Sequence, residues 1–119
     1  MKVRDFDASL RFYVDGLGCK KVHAWGEGDG RAVMLDTGAG DYMEIFAGLK
    51  EEKGEGWYTH VAFRTDDCKA SLDMAVKAGA VVTIDVMEVE IKSESPLPIT
   101  IAFCKGPDGE IIEFFQERR

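Results

Sequence analysis

At 119 residues the chain is about one domain long, which argues against separate catalytic and cofactor domains. Hydrophobic residues make up 45% and charged residues 31%, a globular composition too apolar for a disordered chain. The 22 acidic and 15 basic side chains leave a net charge of −7, and no run of Lys or Arg gathers into a patch, so nucleic acid is not an expected partner.

In chain order, Met1 to Arg4 read as the stub of a strand. Asp5 stands where a helix N-cap belongs, and Phe6, Leu10, Tyr13 and Leu17 follow at helical spacing until Gly18 ends the helix. Strands are predicted at about 19–26, 31–37 and 41–47, with the turn Gly26-Glu27-Gly28-Asp29-Gly30 between the first two. Residues 48–57 form a linker whose charge run Lys50-Glu51-Glu52-Lys53 is a solvated face. A strand at about 58–65 precedes a second helix, capped by Asp67, carrying Leu72, Ala75, Val76 and Ala78, and ended by Gly79. Strands at about 80–89, 98–105 and 110–116 complete the chain, the last two joined by Gly106-Pro107-Asp108-Gly109.

The longest apolar runs fall far short of the roughly 20 residues of a membrane helix. The N-terminus lacks a signal-peptide pattern, so no membrane partner and a cytoplasmic location are expected. Cys19, Cys68 and Cys104 are too widely spaced for a C-x-x-C pair and read as small apolar fillers in a reducing compartment.

The order of elements is a module written twice. Asp67 and Ser71 repeat Asp5 and Ser9 at an offset of 62, and Gly109-Glu110-Ile111-Ile112-Glu113-Phe114-Phe115 repeats Gly40-Asp41-Tyr42-Met43-Glu44-Ile45-Phe46 at an offset of 69. One domain over 1–119 is expected, with module one at 1–47, the linker at 48–57 and module two at 58–119.

Alternate residues of a strand share a face. Tyr42, Glu44 and Phe46 therefore lie together, as do Ile111, Glu113 and Phe115, and Tyr58, His60 and Ala62. The opposite faces, with Met43 and Ile45, Ile112 and Phe114, and Val61 and Phe63, suit packing under the helices. A carboxylate amid aromatics at equivalent places in both modules is costly without a partner. A divalent cation would be such a partner, held by two carboxylates and a neutral imidazole. The alternative is that Glu44 and Glu113 are solvated near strand ends and His60 is a hydrogen-bonded polar residue.

The repeat resembles the vicinal oxygen chelate superfamily, through Asp5-Phe6-Asp7-Ala8-Ser9-Leu10-Arg11-Phe12-Tyr13 with Gly16-Leu17-Gly18, His60-Val61-Ala62-Phe63, and Gly106-Pro107-Asp108-Gly109 with Ile112-Glu113-Phe114. The resemblance covers nearly the whole chain and is closest to the glyoxalase I branch. It implies an α+β fold of two paired βαβββ modules around a concave sheet, with most of the first strand of module one missing from the sequence. It also implies metal ligands at Glu44, His60 and Glu113, converging inside the cup, and a divalent ion such as Ni, Zn, Fe or Mn. Glu113 would be the proton-shuttling base, acting while the cation binds vicinal oxygens of a 2-oxo hemithioacetal and stabilises the enediolate. Tyr42, Phe46, Tyr58 and Phe115 would line the substrate cavity, leaving Phe12, Tyr13 and Trp57 as packing.

The counterpart of His60 would fall at position −2, ahead of Met1; either the natural chain begins further upstream or a coordination position stays open. The other histidine, His23, reads as a strand residue beside Trp25. The branch's glutathione-holding Arg and Asn are replaced by Lys2 and Gly48, which puts glutathione in doubt and leaves another thiol adduct or oxygenated small molecule open. The resemblance implies a small-molecule substrate and a homodimer. Three functions compete: a metal-dependent lyase or isomerase of the lactoylglutathione lyase type, a non-catalytic drug-binding or antibiotic-binding dimer, and a ring-cleaving dioxygenase-like iron protein.

Overall fold

The computed structural model describes residues 1–52, 60–92 and 94–118. Both helices begin on the expected caps. The Asp5 carboxylate accepts from the Ala8 N–H at 2.9 Å and opens helix α1, Phe6–Arg11. Asp67 accepts from the Ala70 N–H at 2.9 Å and opens α2, Cys68–Lys77. Each satisfies a backbone donor that the first helical turn cannot. Helix α1 runs on into a π-helical turn, Phe12–Gly16. Gly18 and Gly79 then reverse the chain at φ values of 81° and 103°, a left-handed conformation that side chains disfavour.

The inward stripe of α2 is Cys68, Leu72 and Ala75. Val76, expected on that stripe, is 44% exposed. It lies one residue, or about 100° of helical rotation, beyond Ala75 and falls at the rim.

Strands β1 (Lys20–Trp25), β2 (Ala32–Asp36) and β3 (Tyr42–Phe46) form an antiparallel sheet in that order. The second sheet contains β4 (Val61–Arg64), β5 (Val81–Ile91), β6 (Leu97–Lys105) and β7 (Ile111–Glu117) in the order β4-β7-β6-β5. There β4 is parallel to β7 and the other pairs are antiparallel. The duplication is retained in register. Met34 faces Glu44 as Phe103 faces Glu113, both members shifted by 69. Lys2 bridges Phe46 in parallel as Arg64 pairs with Phe115, shifted by 62 and 69. The architecture is α+β, built from two copies of one module.

The modules share one hydrophobic core, in which Val3, Phe6, Phe12, Tyr13 and Ile45 of the first meet Leu72, Ala75, Ile112 and Phe114 of the second. Phe12 and Tyr13 are thus packing residues. All three cysteines are free and buried; burial raises their thiol pKa values, that of Cys104 to about 11, which suits filler rather than nucleophile. The modules touch closely at Gly16, where a Cβ would stand 2.5 Å from the Ala78 Cβ. Polar ties cross the same boundary: Arg4 Nε donates to Asp108 Oδ1 at 2.6 Å, and the Tyr13 hydroxyl to Glu110 Oε1 at 3.2 Å.

Candidate functional site

Each sheet turns one face to the core and the other away from it. In β3, Ile45 is fully buried beneath the helices, while Tyr42, Glu44 and Phe46 are exposed on the outer face, as alternation requires. In β7, Ile112 and Phe114 join the core, so Ile111, Glu113 and Phe115 occupy the outer face. His60 immediately precedes β4, with Ala62 and Arg64 continuing its face beside Glu113 and Phe115.

The closest meeting of expected site residues is between His60 and Glu113: Nε2 of His60 lies 2.9 Å from Oε2 of Glu113. The Glu113 residue is only 8% exposed although it faces away from the core. Strands flank it on both sides, placing Ala62 and Phe103 next to it in register. The His60 ring meets Phe103 edge-on, with centroids 5.2 Å apart. A carboxylate in so apolar a setting needs a charged or hydrogen-bonding partner, and the imidazole is one.

Glu44 has the same local register but a different environment. Its strand has β2 on one side and, on the other, the Met1–Arg4 segment bridged at Phe46, so Glu44 remains exposed. Among the described residues no group of three or more His, Cys, Asp or Glu side chains is placed to hold a metal ion. Glu44 therefore does not join His60 and Glu113 as a third donor within one chain, because β3 and β7 belong to separate sheets. Of the expected cavity residues, Tyr42 is 59% and Phe46 38% exposed, and Phe115 is half-buried. Tyr58 and Trp57 lie outside the described residues.

Around Glu44 the outer face carries more aromatic character than its own strand. Trp25 meets Phe46 edge-on at 6.2 Å and stacks on His23 at 5.7 Å. The register explains the first contact, because Trp25 and Phe46 both pair with the small residue Ala32. Lys2 and Gly48 come together at the end of this face. A Cβ at Gly48, where φ is +88°, would lie 3.5 Å from Lys2 Cε and 2.9 Å from the Asp29 carbonyl oxygen. A cavity of about 260 Å³ opens beside them, lined by Lys2, Asp29, Gly30, Arg31, Phe46 and Ala47. Of the charge run after Gly48, Lys50, Glu51 and Glu52 are exposed, yet Lys50 pairs with Asp29 at 2.5 Å and Glu52 with Arg4 at 3.6 Å, and Lys53 lies outside the described residues.

Sequence reading missed Phe103, Met34 and Arg64 on the site-bearing faces. Arg64 was within reach of the alternation running from His60 through Ala62. Phe103 and Met34 needed the pairing register, which one strand's sequence does not contain.

A duplicated βαβββ unit with a repeated outer-face carboxylate defines a class of protein, and the sequence comparison agrees. The chain belongs to the Glyoxalase/Bleomycin resistance protein/Dioxygenase superfamily, whose family model matches residues 1–114. It is 34% identical to the uncharacterized protein YwbC of Bacillus subtilis (strain 168), over 96% of this chain and 90% of that protein. It is 28% identical to a probable lactoylglutathione lyase of Vibrio cholerae serotype O1 (strain ATCC 39315 / El Tor Inaba N16961), over 100% of this chain and 88% of that protein. Among solved structures, a variant of the fosfomycin resistance protein FosX from Listeria monocytogenes, complexed with Mn(II) and dihydroxypropylphosphonic acid, superposes with a TM-score of 0.71. That match has 15% identity and covers 96% of this chain and 82% of the other.

Proposed function

We propose that this protein is a divalent-metal-dependent lyase or isomerase of the glyoxalase type, acting on a 2-oxo hemithioacetal or a related small oxygenated substrate. The observation that carries the reading is the His60–Glu113 pair, whose carboxylate is buried in an apolar face at the place that the first module fills with Glu44. The kinship with lactoylglutathione lyases supports the reaction class, and the Mn(II) complex of a structural relative supports the metal.

The donors fit a divalent ion. His60 Nε2 and Glu113 Oε2, 2.9 Å apart, are donor types that such an ion accepts, and both would hold it. His60 supplies a neutral nitrogen, and Glu113 and Glu44 supply anionic oxygens. A cation held there supplies Lewis-acid stabilisation of the negative charge that develops on adjacent substrate oxygens.

Glu113 takes the proton from one substrate carbon and returns it to the neighbouring one. Its apolar surroundings exclude competing water from the transfer. His60 holds the carboxylate's orientation, and Tyr42, Phe46 and Phe115 offer apolar walls. Glu44 reaches the pair from a second copy of the chain, making the working unit a homodimer in which two exposed outer faces cover one another. Trp25, Phe46 and Tyr42 on one sheet, and Ile84 and Met87 on the other, are the exposed apolar side chains such pairing would bury.

Metal analysis of the purified protein, combined with turnover of the methylglyoxal–glutathione and methylglyoxal–2-mercaptoethanol hemithioacetals, tests the reading. About one metal per chain, chelator-sensitive turnover and a loss of roughly 10² or more in rate for Glu113→Gln with an unchanged fold are expected. A protein that binds ligands without metal and is indifferent to chelator would instead be a binding module.

A further inference from the structure

We propose that Arg64 is a specificity-determining residue that binds an oxyanion, a carboxylate or phosphonate, on the substrate of the His60–Glu113 site. This deepens the reading above and rests on it for the identity of that site. Arg64 lies on the same strand face as Ala62, which is in register with Glu113, and it is itself in register with Phe115. That puts it one step of the pleat, about 6.6 Å along the strand, beyond the carboxylate.

Among the described basic residues Arg4, Arg31, Lys50, Lys69 and Arg118 form ion pairs, while Arg11, Lys20, Lys21, Lys77, Lys92 and Lys105 form none, so what distinguishes Arg64 is its place on the face of the His60–Glu113 pair. Arg64 is exposed and, among the described residues, has no ion pair. A guanidinium without an ion pair among the described residues, on a strand in register with Phe115, offers its planar fork to a ligand, and that fork matches the two oxygens of a carboxylate or phosphonate.

The duplication supplies an independent sign. The residue equivalent to Arg64 in module one is Lys2, which bridges Phe46 as Arg64 pairs with Phe115, and it too has no ion pair among the described residues. Its neighbour Asp29 is engaged by Lys50. A basic residue on the outer face, one pleat past the repeated carboxylate, thus occurs in both modules. Val3 and Phe63, on the opposite faces, pack in or against the core, which fixes the outward direction of Lys2 and Arg64.

Calorimetric titration of the purified, metal-analysed protein with thiodiglycolate, methylphosphonate and uncharged thiodiethanol tests the proposal. At least one oxyanion should bind more tightly than thiodiethanol, and which of them does so identifies the head group. Arg64→Gln should weaken that oxyanion about tenfold or more, with Arg64→Lys recovering part of the loss. Circular dichroism on both variants separates misfolding from lost binding. A wild-type protein that does not prefer oxyanions, or a preference that survives Arg64→Gln, overturns the assignment. Arg64-dependent oxyanion binding without hemithioacetal turnover would refute the glyoxalase-type reaction and leave the oxyanion site standing, whereas turnover without that dependence would refute the oxyanion site alone.

Discussion

Glu110 carries a charge that its surroundings penalise. Burial is the largest influence and raises its pKa above 4.5, against hydrogen bonds from its own backbone, from the Asp108 N–H and from the Tyr13 hydroxyl. A carboxyl raised in the folded state favours folding when protonated. Its contribution is therefore full below its unfolded pKa and is lost as pH rises through its folded pKa. Glu110→Gln removes that titration. The melting temperature of the variant relative to wild type should rise between about pH 4 and pH 7, measured by circular dichroism at both values. The sequence displayed Glu110 only as a residue next to a glycine turn. Its burial follows from Tyr13, almost a hundred residues away, and no local pattern encodes that meeting. Glu44 and Glu113 teach the same lesson in reverse: the repeat made them equivalent, and the number of flanking strands made one exposed and the other buried.

Helices and strands were legible because their signals are local. Asp5 and Asp67 announce helix starts, Gly18 and Gly79 announce their ends, and seven strands lie close to where alternation and glycine turns predict them. The π-helical turn at Phe12–Gly16 was not legible, since an added residue in one turn leaves the apolar spacing nearly intact. Gly16 ends that turn for a tertiary reason, the 2.5 Å approach of its missing Cβ to Ala78. Gly16→Ala should therefore destabilise the protein by about 1–3 kcal/mol, as overpacking does. Ala78→Gly in the same chain should recover part of the loss, and urea denaturation of the single and double variants measures both.

At the scale of the whole molecule, the two sheets do not bring the repeated carboxylates together, and the proposed dimer makes a sharp prediction. Glu44→Gln and Glu113→Gln should each be inactive alone. A heterodimer formed from the two variants has one doubly altered site and one intact site, and equal amounts refolded together make about half of the dimers mixed, so about a quarter of wild-type turnover should return. Sites formed within single chains would show no recovery.

The shared core has a consequence for each module. One module on its own would leave Phe12 and Ile45, or Leu72 and Ile112, facing water. A half-length polypeptide carrying a single module would have to clasp an identical sibling to cover these side chains, a contact that this chain makes within one molecule.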